Sequence, residues 1–263
     1  MCSSERDTPA SMIARVSRVF ESFRPPDDAL GVREIARRTG LASSTVSRIV
    51  RELVEHRFLE PAGRGFRIGL RFFELGEQAA RPHQLRQMAM ANMSDLRSAT
   101  RQTVHLAVLD GTEVVYVIKL RSRTAPPLGS RVGGRMPAHA TGVGKALLAF
   151  AGPGVVDRVI EAGLPRLGPG TITDGTRLRD ELAAIREAGI AYETEESGPD
   201  VVCVAAPVTA REGRPIAGLS ISTRRGEVDT ATLGPAVRTA ALALGRQAAR
   251  MPALSGAAWT ELG

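Results

Sequence analysis

Ser43, Ser44, Thr45, Ser47 and Arg48 crowd the start of one short segment, setting hydroxyl donors and acceptors beside a long cation. That mixture suits hydrogen bonds to base edges in a major groove and to the phosphates that flank them. Arg33 and Arg51 stand close by in the chain, and Arg64 occupies the basic tip of a Pro- and Gly-containing loop at 61–65. Two other clusters invite chemistry and then fail its requirements. Gly142-Val143-Gly144-Lys145 could cradle a phosphate, but a P-loop needs glycine where His139 stands and serine or threonine where Ala146 stands. Cys203 could be a nucleophile with His139 or His105 as its base, yet it lies in an apolar run, where a buried thiol is usually inert. The histidines at 56, 83, 105 and 139 lack the i, i+4 spacing of a helical metal pair, so neither a metal site nor a cofactor is expected.

The elements that would position the first cluster follow from apolar spacing. Val32, Ile35 and Ala36 form the inner face of one short helix, Gly40-Leu41 makes a tight turn, and Val46, Ile49, Val50, Leu53 and Val54 stripe a second helix. Residues 58–60 and 66–68 read as two short strands around the 61–65 loop, the pattern of a winged helix-turn-helix. A leading helix over 11–23 would cover the pair with Ile13, Val16, Val19, Phe20 and Phe23. A two-helix hairpin inside a larger helical domain is the competing reading. Charge weighs against it: residues 33–71 hold nine arginines and four glutamates, an excess that favours a polyanion.

At 263 residues the chain has room for two cores, and a hydrophobic fraction of 43% is ordinary for a globular protein. The net charge of +7 is weaker evidence than its distribution, because residues 81–263 also carry 22 basic against 17 acidic side chains. With only Cys2 and Cys203, no disulfide framework or zinc spacing is present. The opening ten residues lack an apolar signal core and no run approaches a membrane span, which predicts a cytoplasmic protein with no membrane partner.

Beyond the wing, 69–81 reads as helical, with Pro82 as a boundary before another helix from 83 to about 100. Phe72, Phe73 and Leu75 on that linker call for cover, most simply a partner subunit. A β-hairpin follows over 103–109 and 113–120 across Asp110-Gly111-Thr112, then a Pro- and Gly-rich stretch at 125–137. Helices are expected at 140–151, 155–162 and 178–188, strands at 190–194, 201–209 and 216–223, and a last helix at 229–251. The domain divisions are 8–69, a linker at 70–82, 83–251, and a fraying tail at 252–263.

Three segments, IARRTGLASSTVSRIVRELVEHRFLE, SRVGGRMPAHATGVGKALLA, and the pair YETEESGPDVVCVAAPV with GLSIS, resemble the IclR-type bacterial transcriptional regulators over about residues 11–226. The resemblance implies an α+β protein: an N-terminal winged helix-turn-helix, a linker helix, and a C-terminal GAF-like domain with a central antiparallel sheet flanked by helices. It also implies a homodimer or homotetramer on a double-stranded DNA operator, tuned by a small organic acid or similar polar metabolite. Carried over residue by residue, the effector pocket would comprise the backbone amides of Gly142 and Val143, then Glu193, Cys203, Ser220 and Ser222, with Leu128, Met136 and Val201 as apolar wall. Ser220 and Ser222 flank Ile221 on a strand and so share a face. Two positions depart from the family pattern. Glu193 replaces the aspartate of some members, shrinking the pocket or re-aiming the acid, and Val143 replaces a common alanine, narrowing the amide mouth. The function expected is regulation rather than catalysis; the alternative is an enzyme or stand-alone metabolite sensor built on the Cys203 pocket with an accessory DNA module.

Overall fold

Apolar stripes gather into separate cores in the two units of the chain, residues 1–79 and 80–263, and the computed structural model describes residues 11–24, 27–122, 129–210, 213–251 and 254. In the first unit, α1 (Met12–Glu21) starts at Ser11, whose hydroxyl accepts the Ala14 amide at 3.2 Å. α2 (Val32–Thr39) ends where Gly40 takes φ 71°, a left-handed turn that glycine adopts without strain, and α3 (Ser43–Glu55) follows at once. Val19, Leu30, Ile35, Val46, Ile49, Val50, Leu53 and Leu59 close the core between them. Ile13, expected on the inner stripe of α1, instead faces outward, 79% exposed.

The wing strands are longer and their turn shorter than the sequence implied. β1 (Leu59–Ala62) and β2 (Gly65–Ile68) pair down to Ala62 opposite Gly65, leaving Gly63 and Arg64 as the turn, with Gly63 at φ 55°. Leu30 adds a backbone bridge to Phe66, and a Cβ on Gly65 would meet the Leu30 carbonyl at 2.7 Å, so the bridge depends on glycine there. α4 (Arg71–Glu77) is shorter than the 69–81 helix anticipated. On it Phe72 meets Phe20 and Phe58 edge-on, with centroids 4.7 and 5.4 Å apart, so part of its cover comes from its own unit. Phe73 stays 64% exposed.

The second unit opens with α5 (Ala80–Thr100). Pro82 does not bound this helix; it sits in its first turn, where backbone N–H groups have no helical acceptor and proline costs nothing. A six-stranded antiparallel sheet follows in the order β5-β4-β3-β8-β7-β6, with β3 (Thr103–Asp110), β4 (Glu113–Leu120), β5 (Arg135–Pro137), β6 (Ala191–Thr194), β7 (Val201–Thr209) and β8 (Pro215–Arg224). β5 was hidden in the Pro- and Gly-rich stretch, because three residues on an edge are too few to show a period. α5 and α9 (Thr230–Ala248) cover one sheet face through Leu85, Met93, Leu106, Val204, Ile221 and Leu244.

The other face carries α6 (Gly142–Leu148), α7 (Pro153–Glu161) and α8 (Gly175–Ala188). α6 is shorter than the 140–151 helix anticipated, because residues 138–140 form a 3₁₀ turn and Thr141 then caps the helix by accepting the Gly144 amide at 3.1 Å. Every residue of α6 is buried. Glycine permits the close packing: a Cβ would meet Cys203 Sγ at 2.9 Å from Gly142, the Val143 carbonyl oxygen at 3.0 Å from Gly218, and the Ala138 oxygen at 2.1 Å from Gly144.

That last contact is backbone on backbone. Gly144→Ala is therefore expected to lower the unfolding free energy by about 1–3 kcal/mol or more. Gly154→Ala, where the added Cβ meets nothing within 4 Å on α7, should raise it by up to about 1 kcal/mol. Urea titration of both variants checks the opposite signs.

Candidate nucleic-acid interface and ligand-binding face

Helical spacing sets Ser44, Ser47, Arg48 and Arg51 along one side of α3, where they line an open groove of about 650 Å³ with Val32, Val50, Val54 and Phe66. Ser43 is exposed at the start of the helix and Thr45 is half-buried; Arg33 projects from the first turn of α2, and Arg64 from the tip of the wing. Ion pairing sorts the arginines of this unit. Arg37 and Arg38 hold Glu34, Arg38 also holds Asp27, Arg67 holds Glu60, and Arg71 holds Glu74. Among the described residues Arg33, Arg48, Arg51 and Arg64 have no acidic partner, so their charge is available to a polyanion. Arg38 deepens the contrast: two carboxylates and the Ser22 carbonyl oxygen hold its guanidinium. It orients the fold and leaves the outward arginines to make contacts.

On the α6 side of the large sheet, register assembles the second group. Glu193 pairs with Cys203, Cys203 with Ser222, and Ser222 with Thr103; one step along, Ala205 pairs with Ser220 and Ser220 with His105. Since side chains alternate, Glu193, Cys203, Ser220, Ser222 and His105 all point to the face that α6 covers. Val201 lies one repeat farther on the same face, half-buried. Met136 on β5 receives the Tyr116 hydroxyl at 3.6 Å on its sulfur. Gly142 stands over Cys203, and the amides of Gly142 and Val143 have no partner among the described residues, since Thr141 serves Gly144 and Lys145. Leu128 lies outside the described residues.

The electrostatics of this face are those of a dry site. Burial pushes Glu193 up to about 7, against the amides of Ser197 and Glu196, which donate to its Oε1 at 3.0 and 2.7 Å. The left-handed backbone at Glu195, φ 54°, turns those amides back toward the carboxyl. Burial, then the neighbouring Glu193, push the Cys203 thiol up to about 12, so it stays protonated and is a poor nucleophile. Lys145, wholly buried, donates to Glu196 Oε1 at 2.6 Å, Glu181 Oε1 at 2.8 Å and the Tyr192 carbonyl at 3.0 Å. All three of its donors are used internally, which disposes of a phosphate-binding role for Gly142-Val143-Gly144-Lys145.

Sequence reading missed the roles of His105, Ser130, Lys119 and Tyr116. His105 Nε2 lies 2.9 Å from Ser130 Oγ and Nδ1 lies 3.4 Å from Ser222 Oγ; Lys119 donates to the Ser130 carbonyl at 2.6 Å. The signal available was period-two alternation, which aligns His105 with the serines only once the β3 and β8 register is known.

Comparison with known proteins gives a single result. Residues 12–63 match the model of the IclR helix-turn-helix domain, and residues 77–246 match that of the bacterial transcriptional regulator IclR C-terminal domain. The HTH-type transcriptional regulator XynR of Escherichia coli (strain K12) is 33% identical over 240 residues, 89% of this chain and 95% of that protein. The p-hydroxybenzoate hydroxylase transcriptional activator of Acinetobacter baylyi is 29% identical over 227 residues, 82% of each chain. Among solved structures, an IclR homolog from Microbacterium hydrocarbonoxydans complexed with 4-hydroxybenzoate is 36% identical, with a TM-score of 0.83 over 91% of this chain and 99% of that one.

Glu193 generates a pH test. Its carboxyl titrates at 4.5 when unfolded and about 7 when folded, so below pH 4.5 both states hold the proton and burial carries no penalty. Above 4.5 the unfolded state releases its proton first, and the penalty grows until the folded pKa is passed, reaching on the order of 3 kcal/mol. Glu193→Gln keeps an oxygen for the two amides and removes the penalty. Its stability advantage over the parent chain should be small at pH 4.5 and grow through pH 7, as read from denaturation midpoints.

Proposed function

Because the chain belongs to the IclR family of bacterial transcriptional regulators, we propose that it reads a roughly palindromic operator through α3 and answers to a small carboxylate held on the α6-facing side of β7 and β8. It is a DNA-binding regulator with an effector-binding domain, not an enzyme. The observation that carries the operator reading is the charge on the first unit: Arg48 and Arg51 on α3, with Arg33 and the wing-tip Arg64, have no acidic partner among the described residues, whereas Arg37, Arg38, Arg67 and Arg71 are each paired with a carboxylate. Ser43, Ser44, Thr45, Ser47 and Arg48 would meet bases and nearby phosphates, with Arg33, Arg51 and Arg64 on the backbone. The working division is a DNA module at 8–69, a linker at 70–82, and an effector and oligomerisation domain at 83–251.

A homodimer or homotetramer supplies one α3 per half-site and covers the apolar groups still open on the linker, Leu70 and Phe73 at 64% exposure each and Phe72 and Leu75 at 37%. A protein that regulates from an operator acts where the DNA lies, the cytoplasm; among the described residues no helix is long and apolar enough to cross a membrane.

For the effector we favour a monocarboxylate that also carries a hydroxyl or another hydrogen-bond donor. Its acid would lie on the amides of Gly142 and Val143 and on the hydroxyls of Ser220 and Ser222, among Cys203, Met136, Leu128 and Val201. Ionised, Glu193 would repel a second carboxylate and accept from a donor on the ligand; otherwise, brought up to about 7 by burial, it must take up a proton in the complex. The bound 4-hydroxybenzoate of the Microbacterium homolog has this chemistry and makes hydroxybenzoates the first compounds to try. A ligand regulates only through unequal affinity for two conformations, so binding and operator release are measured together.

Gel shifts at two salt concentrations check the DNA face. Arg48→Ala should weaken specific binding by about 1–3 kcal/mol and leave nonspecific binding nearly unchanged, while Arg64→Ala should weaken both and lower the salt slope by about one. Equal effects of the two changes on every sequence would remove Arg48 from base reading. On the second unit, losing a buried hydrogen bond to an anion costs about 1.5–3 kcal/mol. Ser222→Ala should therefore weaken acid binding about ten- to a hundred-fold by calorimetry; unchanged affinity would move the pocket elsewhere.

A further inference from the structure

His105 has no place among the pocket residues carried over from the family pattern, yet it is 2% exposed on the same face and engages hydroxyls with both ring nitrogens. Burial, reinforced by the nearby Lys119 ammonium, pushes it down to about 3, so the ring is neutral at physiological pH and carries a single N–H. Where that hydrogen sits decides what Ser222 offers a ligand. With the hydrogen on Nε2, the ring donates to Ser130, Nδ1 accepts, and the Ser222 hydrogen is drawn away from the pocket, leaving only lone pairs to meet a ligand oxygen. With it on Nδ1, Nε2 accepts from the Ser130 hydroxyl, Nδ1–H donates to Ser222 Oγ, and the Ser222 hydrogen is released from the ring and can turn from its weak acceptor, the Cys203 sulfur, to the ligand. The second arrangement is a chain of donors running in one direction, each polarising the next. Lys119 fixes its outer end by holding the Ser130 carbonyl at 2.6 Å.

We propose that His105 is a specificity-determining residue of the effector site: clamped between Ser130 and Ser222, its imidazole carries its hydrogen on Nδ1 in the complex, aims the Ser222 hydroxyl at the ligand, and so selects a carboxylate over its neutral amide. The inference rests on the acid-effector reading given above and adds to it the group that sets the polarity of the site. His105 acts through Ser222 and is thus a positioning residue. Tyr116, whose ring centroid lies 5.2 Å from that of His105, limits tilting of the imidazole from the β4 side. The charged group acting on it is Lys119, and the titratable ring packed beside it is Tyr116, which burial holds in its neutral form.

The test uses the full chain with 4-hydroxybenzoate and 4-hydroxybenzamide as probes. By calorimetry the unaltered protein should prefer the acid by about tenfold or more, since a charged acceptor roughly doubles the strength of each donated bond. His105→Phe fills the volume without polar atoms and should erase that preference, whereas His105→Asn keeps an N–H near the Nδ1 position and should retain it. Because the chain has four histidines, ¹⁵N-histidine labelling gives a readable spectrum, with the His105 signals identified by their loss in His105→Asn. Nδ1–H in the acid complex is the expected tautomer, a result that a merely structural role would not require and that stands even if His105→Phe fails to fold. An Nε2–H ring in the acid complex, or an undiminished acid preference in His105→Phe, overturns the inference while leaving the effector reading intact. Binding of neither probe by the unaltered protein counts against the acid-effector reading and this inference together.

Discussion

Lys145 is a buried ammonium whose three hydrogens are shared among Glu181 on α8, Glu196 in the loop after β6, and the Tyr192 carbonyl on β6, and the architecture of the sheet face under α6 depends on it. Stripping water from such a charge is expensive, and only well-placed acceptors offset the cost; removing one member of such a group typically costs about 3–5 kcal/mol. What the arrangement provides is position. It ties α6 to α8 and to the edge of the sheet, while Gly142, Gly144 and Gly218 let the helix come closer than any side chain would allow. A loop that resembles a phosphate cradle in one dimension is a packing device in three.

The position of α6 organises the chemistry beside it. The helix seals the sheet face, and in that dry setting the Cys203 thiol is held protonated, the Glu193 carboxyl is brought near neutrality, and His105 is stripped of charge. Groups that might run a reaction in water become fixed dipoles here, which suits recognition better than turnover. Among the described residues, the amides of Gly142 and Val143 have no acceptor, and with the hydroxyls of Ser220 and Ser222 they remain able to donate.

The DNA module solves a different electrostatic problem. Nine arginines between residues 33 and 71 would repel one another, and ion pairs neutralise only some of them. Asp27, Glu34, Glu60 and Glu74 pair with Arg37, Arg38, Arg67 and Arg71, while Arg48 and Arg51, which line the α3 groove, are left without acidic partners among the described residues. Such exposed pairs add little stability individually, so their effect is chiefly on which charges stay free.

Much of this was legible in the linear chain. The apolar stripe of α3, the glycine at the tight turn, the Asp-Gly hairpin and the alternating serines each report a local rule, and local rules survive without knowledge of the fold. The sequence by itself determined the helix-turn-helix, most strands of the sheet, and the shared face of Ser220 and Ser222. It misjudged Pro82, the length of α6 and the outward turn of Ile13, where capping or packing overrides periodicity. Nothing in one dimension could show that Lys145 is spent on Glu181 and Glu196, that Phe72 packs on Phe20 and Phe58, or that His105 reaches Ser130 and Ser222. Those partners are 14 to 117 residues apart, and only strand register and helix packing bring them within hydrogen-bond or ring-contact distance.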